Sequence, residues 1–170
     1  MELNLDESAA GTLRIEFPRV GDRYAQVLSL VSANGQVMPL LESIEGSPAD
    51  NWPASPPLQN LHLQDLPDGR RVALLVGMAG RSHWSASIET IPGQAALLFD
   101  IACRTSDPAA TLGNRYRLLT AVESRLSFVA LADALLHREG DRLTITPAQA
   151  SGPAQKTIRW RYQVVLNQER

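Results

Sequence analysis

Apolar and polar residues alternate with a period of two along most of this chain. Successive side chains of a β-strand point to opposite faces, so the alternation predicts strands with one buried and one exposed face. The pattern is clearest near the C-terminus, where Trp160 and Tyr162 alternate with Arg159 and Arg161. It recurs over residues 82–91, with Trp84 on the apolar side. Strands of this kind are the main constraint on the fold.

Turn signals separate about nine or ten strand-like segments, a spacing typical of an antiparallel β-sandwich or barrel. The chain has 170 residues, a length that suits one domain. We therefore predict an all-β, sandwich-like single domain spanning 1–170, with little helix. A partly open β-barrel is the alternative.

Three segments carry more specific expectations. Val72–Val76 is continuously apolar, which predicts a strand covered on both faces. Residues 46–57 contain four prolines and predict an exposed loop or a hinge, because proline cannot donate to a strand ladder. Residues 121–138 fit both helix and strand, and a turn signal at Gly140 favours strand.

Composition and charge indicate where the protein is located and which classes of partner it lacks. The net charge is −2, so the chain as a whole lacks the basic character of a nucleic-acid-binding protein. Its apolar runs are too short to span a bilayer, and its acidic start differs from a signal peptide. We predict a soluble, cytoplasmic protein without membrane contact. Cys103, the single cysteine, lies in an apolar run, which predicts a buried, unreactive thiol.

The common sequence motifs of enzymes are absent. The chain has no phosphate-binding loop, no dinucleotide-binding glycine pattern, no zinc-binding cluster and no metalloprotease or hydrolase motif. Its three histidines are His62, His83 and His137, and they are widely separated. We therefore predict no catalytic residues, no metal and no cofactor. An enzyme whose site is assembled from distant strands remains compatible with these absences.

The densest group of polar side chains follows two glycines, Gly77 and Gly80. Arg81, Ser82 and His83 come directly after them, at the start of a predicted strand. Glycine lets a backbone approach a ligand closely, and arginine recognises anions. We predict a binding site at these residues, with a plain hairpin loop as the structural alternative.

Two classes of function follow from these features. The first is a non-catalytic binding or protein-interaction module, with Trp52 in segment 46–57 either as a binding anchor or as a cap on the core. Its partner is another protein or a small anionic ligand, and a homo-oligomer is compatible with it. The second is a small-molecule binder or enzyme in which Arg81, His83 and Asp100 converge.

Three segments resemble a family of bacterial proteins of planctomycete type. The matching residues are Gly80-Arg81-Ser82-His83-Trp84-Ser85, Leu98-Phe99-Asp100-Ile101-Ala102-Cys103-Arg104 and Leu112-Gly113-Asn114-Arg115-Tyr116-Arg117. No activity is known for that family, so the resemblance implies no catalytic residue. It implies a bacterial protein whose function is centred on residues 80–117.

Overall fold

A computed structural model gives the fold over residues 1–4, 11–105, 111–119, 125–148 and 156–167, and the description below covers these residues. Strands account for 64% of the chain and helix for 1%, which confirms the predicted all-β class. Three antiparallel sheets are present, and none of them closes into a barrel over the described ranges. The sandwich-like prediction is therefore confirmed over the barrel alternative.

The described ranges form fifteen strands: β1 (Glu2–Asn4), β2 (Thr12–Glu16), β3 (Arg19–Val20), β4 (Arg23–Tyr24), β5 (Val27–Val31), β6 (Val37–Ser43), β7 (Asn60–Asp65), β8 (Arg71–Ala79), β9 (Ser82–Thr90), β10 (Ala96–Thr105), β11 (Asn114–Leu118), β12 (Leu126–Ala130), β13 (Ala134–Glu139), β14 (Arg142–Pro147) and β15 (Lys156–Leu166). This number exceeds the sequence-based count partly because β1, β3 and β4 have only two or three residues each. Segments that short carry no visible alternation.

The strands divide into two large sheets and one small one. The seven-stranded sheet has the order β1-β2-β5-β6-β11-β14-β13, and the six-stranded sheet has the order β12-β15-β10-β9-β8-β7. Strands β3 and β4 form the small sheet, a hairpin extension between β2 and β5. Antiparallel pairing throughout agrees with short connections between neighbouring strands.

The core consists of the inner faces of the two large sheets. On the six-stranded sheet, Trp84 and Trp160 meet edge to face with ring centroids 6.3 Å apart, and Phe99 stacks on Tyr162 at 4.7 Å. The hydroxyl of Tyr116, from the seven-stranded sheet, lies 2.5 Å from the hydroxyl of Tyr162. This hydrogen bond joins the two sheets, and the aromatic contacts fix their packing.

The prediction that Val72–Val76 is covered on both faces is wrong. Strand β8 lies second from the edge of its sheet, and only one of its faces meets the core. Leu74, Val76 and Met78 point outward and are 41%, 51% and 48% exposed. An apolar run shows that a strand has no polar face, but it does not show whether a second layer covers that strand.

The proline segment is only partly the exposed loop that was predicted. Residues 47–51 are exposed, whereas Pro53 and residues 55–58 are buried as the chain crosses from β6 to β7. The β8 strand runs so close to this crossing that a Cβ at Gly77 would lie 1.7 Å from the Pro57 carbonyl oxygen. Gly77 is therefore required by the crossing.

The ambiguous region is extended where the structure describes it. Residues 121–124 lie outside the described ranges, and the rest contains β12 and β13. Strand β13 pairs with β14 across the turn at Gly140, which has a φ of 58°. The preference for strand is confirmed for these two elements.

We expect Trp84→Ala to lower the free energy of unfolding by about 3–5 kcal/mol, because the 2% exposed indole fills the space between Trp52 and Trp160. Met78→Ala, on the outer face of the neighbouring strand, should cost less than about 1 kcal/mol. Chemical denaturation of both variants measures the difference. Equal losses would contradict the assignment of Trp84 to the core.

Candidate functional site

The outer face of the six-stranded sheet carries the candidate site, at the end where β8 turns into β9. The register of β8, β9, β10 and β15 aligns Met78, His83, Arg104 and Thr157 in one row across the sheet. All four positions lie on the face opposite the core, since their neighbours along each strand point inward. The row therefore joins side chains that are far apart in sequence.

The next row inward completes a pocket. Its members are Val76, Ser85 and Ala102, and Asn60 joins it from β7. Together with the first row they line a pocket of about 430 Å³, here called the β9–β10 pocket. This volume lies within the range of small-molecule sites. Ser85 and Ala102 are small, which leaves room above β9 and β10.

The β9–β10 pocket combines apolar surface with positive charge. Val76 and Met78 supply apolar side chains, and Arg104 and His83 supply basic ones. None of the described lining residues is acidic. Arg104 and His83 are exposed and make no hydrogen bond or ion pair with another residue of the described ranges. Their donors are therefore available to a ligand.

Asp100 does not cancel this charge, because it is already paired. Arg159, from the neighbouring strand, donates from Nε to its carboxylate at 2.6 Å and also from Nη2. The carboxylate in turn raises the pKa of Arg159. Asp100 pairs in register with Ser87, four residues along β9 from His83, which is about 13 Å at strand spacing. The structure therefore does not bring Asp100 to His83.

The other sequence-predicted residues have diverse surroundings. Ser82 is buried, and its hydroxyl donates to Thr105 Oγ1 at 3.0 Å. Gly80 has a φ of 55° at the hairpin turn, and Arg81 beside it is exposed. Trp52 is half-buried against Trp84, with ring centroids 6.5 Å apart. Of the five predicted binding residues, His83 is the one among the pocket-lining residues.

Sequence reasoning missed Arg104, Thr157 and Asn60. They belong to three other strands, and only the register of the sheet brings them beside His83. Arg104 carried one usable signal, because it follows Cys103 at the end of an apolar strand and so faces outward. Its partner strand was not readable from local sequence.

A second polar cluster lies between the two sheets. The Tyr116 hydroxyl donates to Gln26 Oε1 at 2.7 Å and contacts Tyr162, and burial raises the pKa of both tyrosines. Glu45 accepts a hydrogen bond from the Ser43 hydroxyl at 2.6 Å. The arrangement links strands of opposite sheets, which gives it a structural role.

Reactive groups in the described ranges are few. Cys103 is buried, which confirms that part of the prediction, and desolvation raises the pKa of its thiol to about 12. Across the described residues, no group of three or more His, Cys, Asp or Glu side chains is arranged to hold a metal ion. No helix there has the length and apolarity needed to cross a membrane.

The comparisons with known proteins identify no family for this chain, so its function is inferred from the structure. No protein-family model matches this sequence, and no curated protein is similar to it.

We expect the interior cluster to give a pH signature through Glu45. Desolvation raises the pKa of this carboxyl, so the folded state binds its proton more tightly than the unfolded chain does. That stabilisation is present at low pH and is lost as pH rises through the folded pKa. Glu45→Gln stays neutral, so its free energy of unfolding relative to wild type should increase between about pH 4 and 7.

Asp68→Asn provides the control of opposite sign. Hydrogen bonding from the Arg70 backbone lowers the pKa of Asp68, so wild type gains stability as pH rises toward about 4 and this variant should fall relative to it over that range. Denaturant titrations from about pH 2.5 to 7 measure the two trends, the Asp68 trend below about pH 4 and the Glu45 trend above it. A Glu45→Gln curve that stays parallel to wild type would contradict the burial of this carboxyl.

Proposed function

We propose that this protein is a non-catalytic binding domain that takes an organic anion with an apolar body in the β9–β10 pocket. The observation that carries the proposal is the composition of that pocket. Two basic side chains that have no partner in the described ranges, Arg104 and His83, lie beside the apolar side chains of Val76 and Met78, and no described lining residue is acidic.

The donor set favours a carboxylate or a similar oxyanion. A guanidinium offers planar paired donors that match two oxygens, and an imidazole adds a further donor. Ser85 and Thr157 bring hydroxyl groups to the same pocket. The apolar side chains favour a ligand that carries hydrocarbon as well as charge, since burying Val76 and Met78 against it removes apolar surface from water.

Binding is supported over catalysis by the surroundings of His83. A general base is usually oriented by a carboxylate or another acceptor, and none of the described pocket-lining residues is acidic. Asp100 is held by Arg159, and the Cys103 thiol is buried. The hypothesis of an enzyme with Arg81, His83 and Asp100 in one site receives no support from this geometry.

Protein interaction is the second candidate function. The outward apolar side chains of β8 favour it, since exposed apolar patches often mark contact surfaces. Edge strand β7 lies beside them with β8 as its one sheet neighbour in the described ranges. A partner protein there would cover the same face as the ligand.

The setting of the protein is also part of this proposal. The resemblance over residues 80–117 favours a bacterial source. Five of the pocket-lining residues belong to the segments that carry the resemblance: His83, Trp84, Ser85, Ala102 and Arg104. A shared binding function of the family would explain that overlap.

Isothermal titration with hexanoate tests the proposed function. Wild type should bind it saturably, and Arg104→Ala should weaken binding about 10-fold or more, as expected for a lost charge-assisted hydrogen bond. Hexanamide, which lacks the charge, should bind more weakly than hexanoate. Arg142→Ala, an exposed arginine on the other sheet, is the matched control and should bind as wild type.

Two results would contradict the proposal. One is equal affinity of wild type and Arg104→Ala for hexanoate. The other is the absence of saturable binding to hexanoate and to an aromatic carboxylate such as phenylacetate. His83→Ala, prepared alongside, should lie between wild type and Arg104→Ala, because the guanidinium offers two donors to the carboxylate.

A further inference from the structure

Three apolar side chains form a continuous exposed line that begins in the β9–β10 pocket. Met78 and Val76 line the pocket, and Leu74 follows on the same face of β8. Their exposed fractions are 48%, 51% and 41%. We call this line the β8 stripe. It is the unusual part of the outer face, since strands usually present polar side chains to water.

A shallow groove runs beside the β8 stripe. The side chains that face outward from β9 next to it are Ser85 and Ser87, and Ala102 and Asp100 follow on β10. Ser85, Ser87 and Ala102 are short, and the Asp100 carboxylate is bound by Arg159. Beyond them, Arg159 and Arg161 stand on β15, and both are held by carboxylates, Arg161 by Asp133 at 2.9 Å. The groove therefore has an apolar wall on β8, a floor with short side chains, and a far side of arginines that are already paired with carboxylates.

The two ends of the groove differ in charge. At the pocket end lie Arg104 and His83, which make no ion pair with any residue that the structure describes. At the other end, one row beyond Leu74, Glu89 is bonded to Arg70 at 2.8 Å. This pair is already neutralised and polar, so it offers nothing to hydrocarbon. A cationic end, an apolar wall along β8 and a closed polar end match a molecule with one anionic head and one tail.

We propose that the ligand of the β9–β10 pocket is a single-chain amphiphile, an unbranched aliphatic carboxylate. Its head group binds Arg104 and His83, and its chain lies along the β8 stripe over Ser85 and Ser87. This inference rests on the proposed function and names the shape of the ligand. It accounts for the exposure of Leu74, which the pocket alone does not explain.

The stripe also sets the length of the chain. Leu74 and Met78 are four residues apart on β8, which is about 13 Å along a strand. An extended chain of roughly ten carbons covers that distance, given C–C bonds of about 1.5 Å. Longer chains reach the Arg70–Glu89 pair and gain nothing more.

A chain-length series tests this inference. Titration of wild type with butanoate, hexanoate, octanoate, decanoate and dodecanoate, each below its aggregation concentration, should show affinity rising roughly twofold per added methylene, since an open groove buries part of each group. The rise should level off near ten carbons. Leu74→Ser should bind butanoate as wild type does and lose the gain from octanoate to decanoate.

Two further variants distinguish binding of the carboxylate head group from binding of the hydrocarbon chain. Leu135→Ser replaces another exposed leucine, on β13 of the other sheet (57% exposed against 41% for Leu74), and its length series should follow wild type. Arg104→Ala should weaken every member of the series by a similar factor. Leu74→Ser folding is checked by its thermal unfolding, which should match that of Leu135→Ser.

The outcomes distinguish the two proposals. Binding of short carboxylates with no dependence on chain length overturns the amphiphile and leaves the anion pocket standing. Binding of phenylacetate with no binding of any aliphatic member likewise overturns the amphiphile alone, whereas no binding of either kind overturns the proposed function itself. Sedimentation gives the third outcome: a dimer at assay concentrations that Leu74→Ser dissociates assigns the β8 stripe to a second copy of the chain and overturns the inference.

Discussion

The register of β9, β10 and β15 is the constraint on which the core and the candidate site both depend. Trp84 pairs with Cys103, and Ile101 pairs with Trp160, so every inward position of these strands meets the core. Side chains alternate with a period of two, so a slip of one residue would exchange the two faces. The same register that buries Trp84 thus places His83 beside Arg104.

The alternation of apolar and polar residues predicted the all-β class, because a strand with one buried face needs an apolar residue at every second position. The strand containing Trp84 and the C-terminal strand were predicted on that basis. Whether a second layer covers β8 could not be predicted, because an apolar run such as Val72–Val76 is expected in a covered strand and also occurs in an uncovered one. The burial of Pro53 was equally invisible, because it depends on where a crossing chain meets the sheet.

The candidate site was predictable only in part. His83 was identified from its place after two glycines, but the structure gives Gly77 a different reason, its close contact with Pro57. Arg104 and Thr157 reach the pocket through strand pairing, a non-local property that local sequence does not encode. Ser82 lies on the inward face of β9, where its hydroxyl bonds to Thr105. It is therefore not available to a ligand at the outer surface.

The central claim is that the outer face of the six-stranded sheet binds an anionic ligand with a hydrocarbon chain. Titration of isotope-labelled protein with octanoate, followed through backbone amide chemical shifts, tests it most directly. The account predicts saturable shifts confined to residues 74–78, 83–85 and 102–104. Shifts on the seven-stranded sheet instead, or no saturable shifts at all, would contradict it.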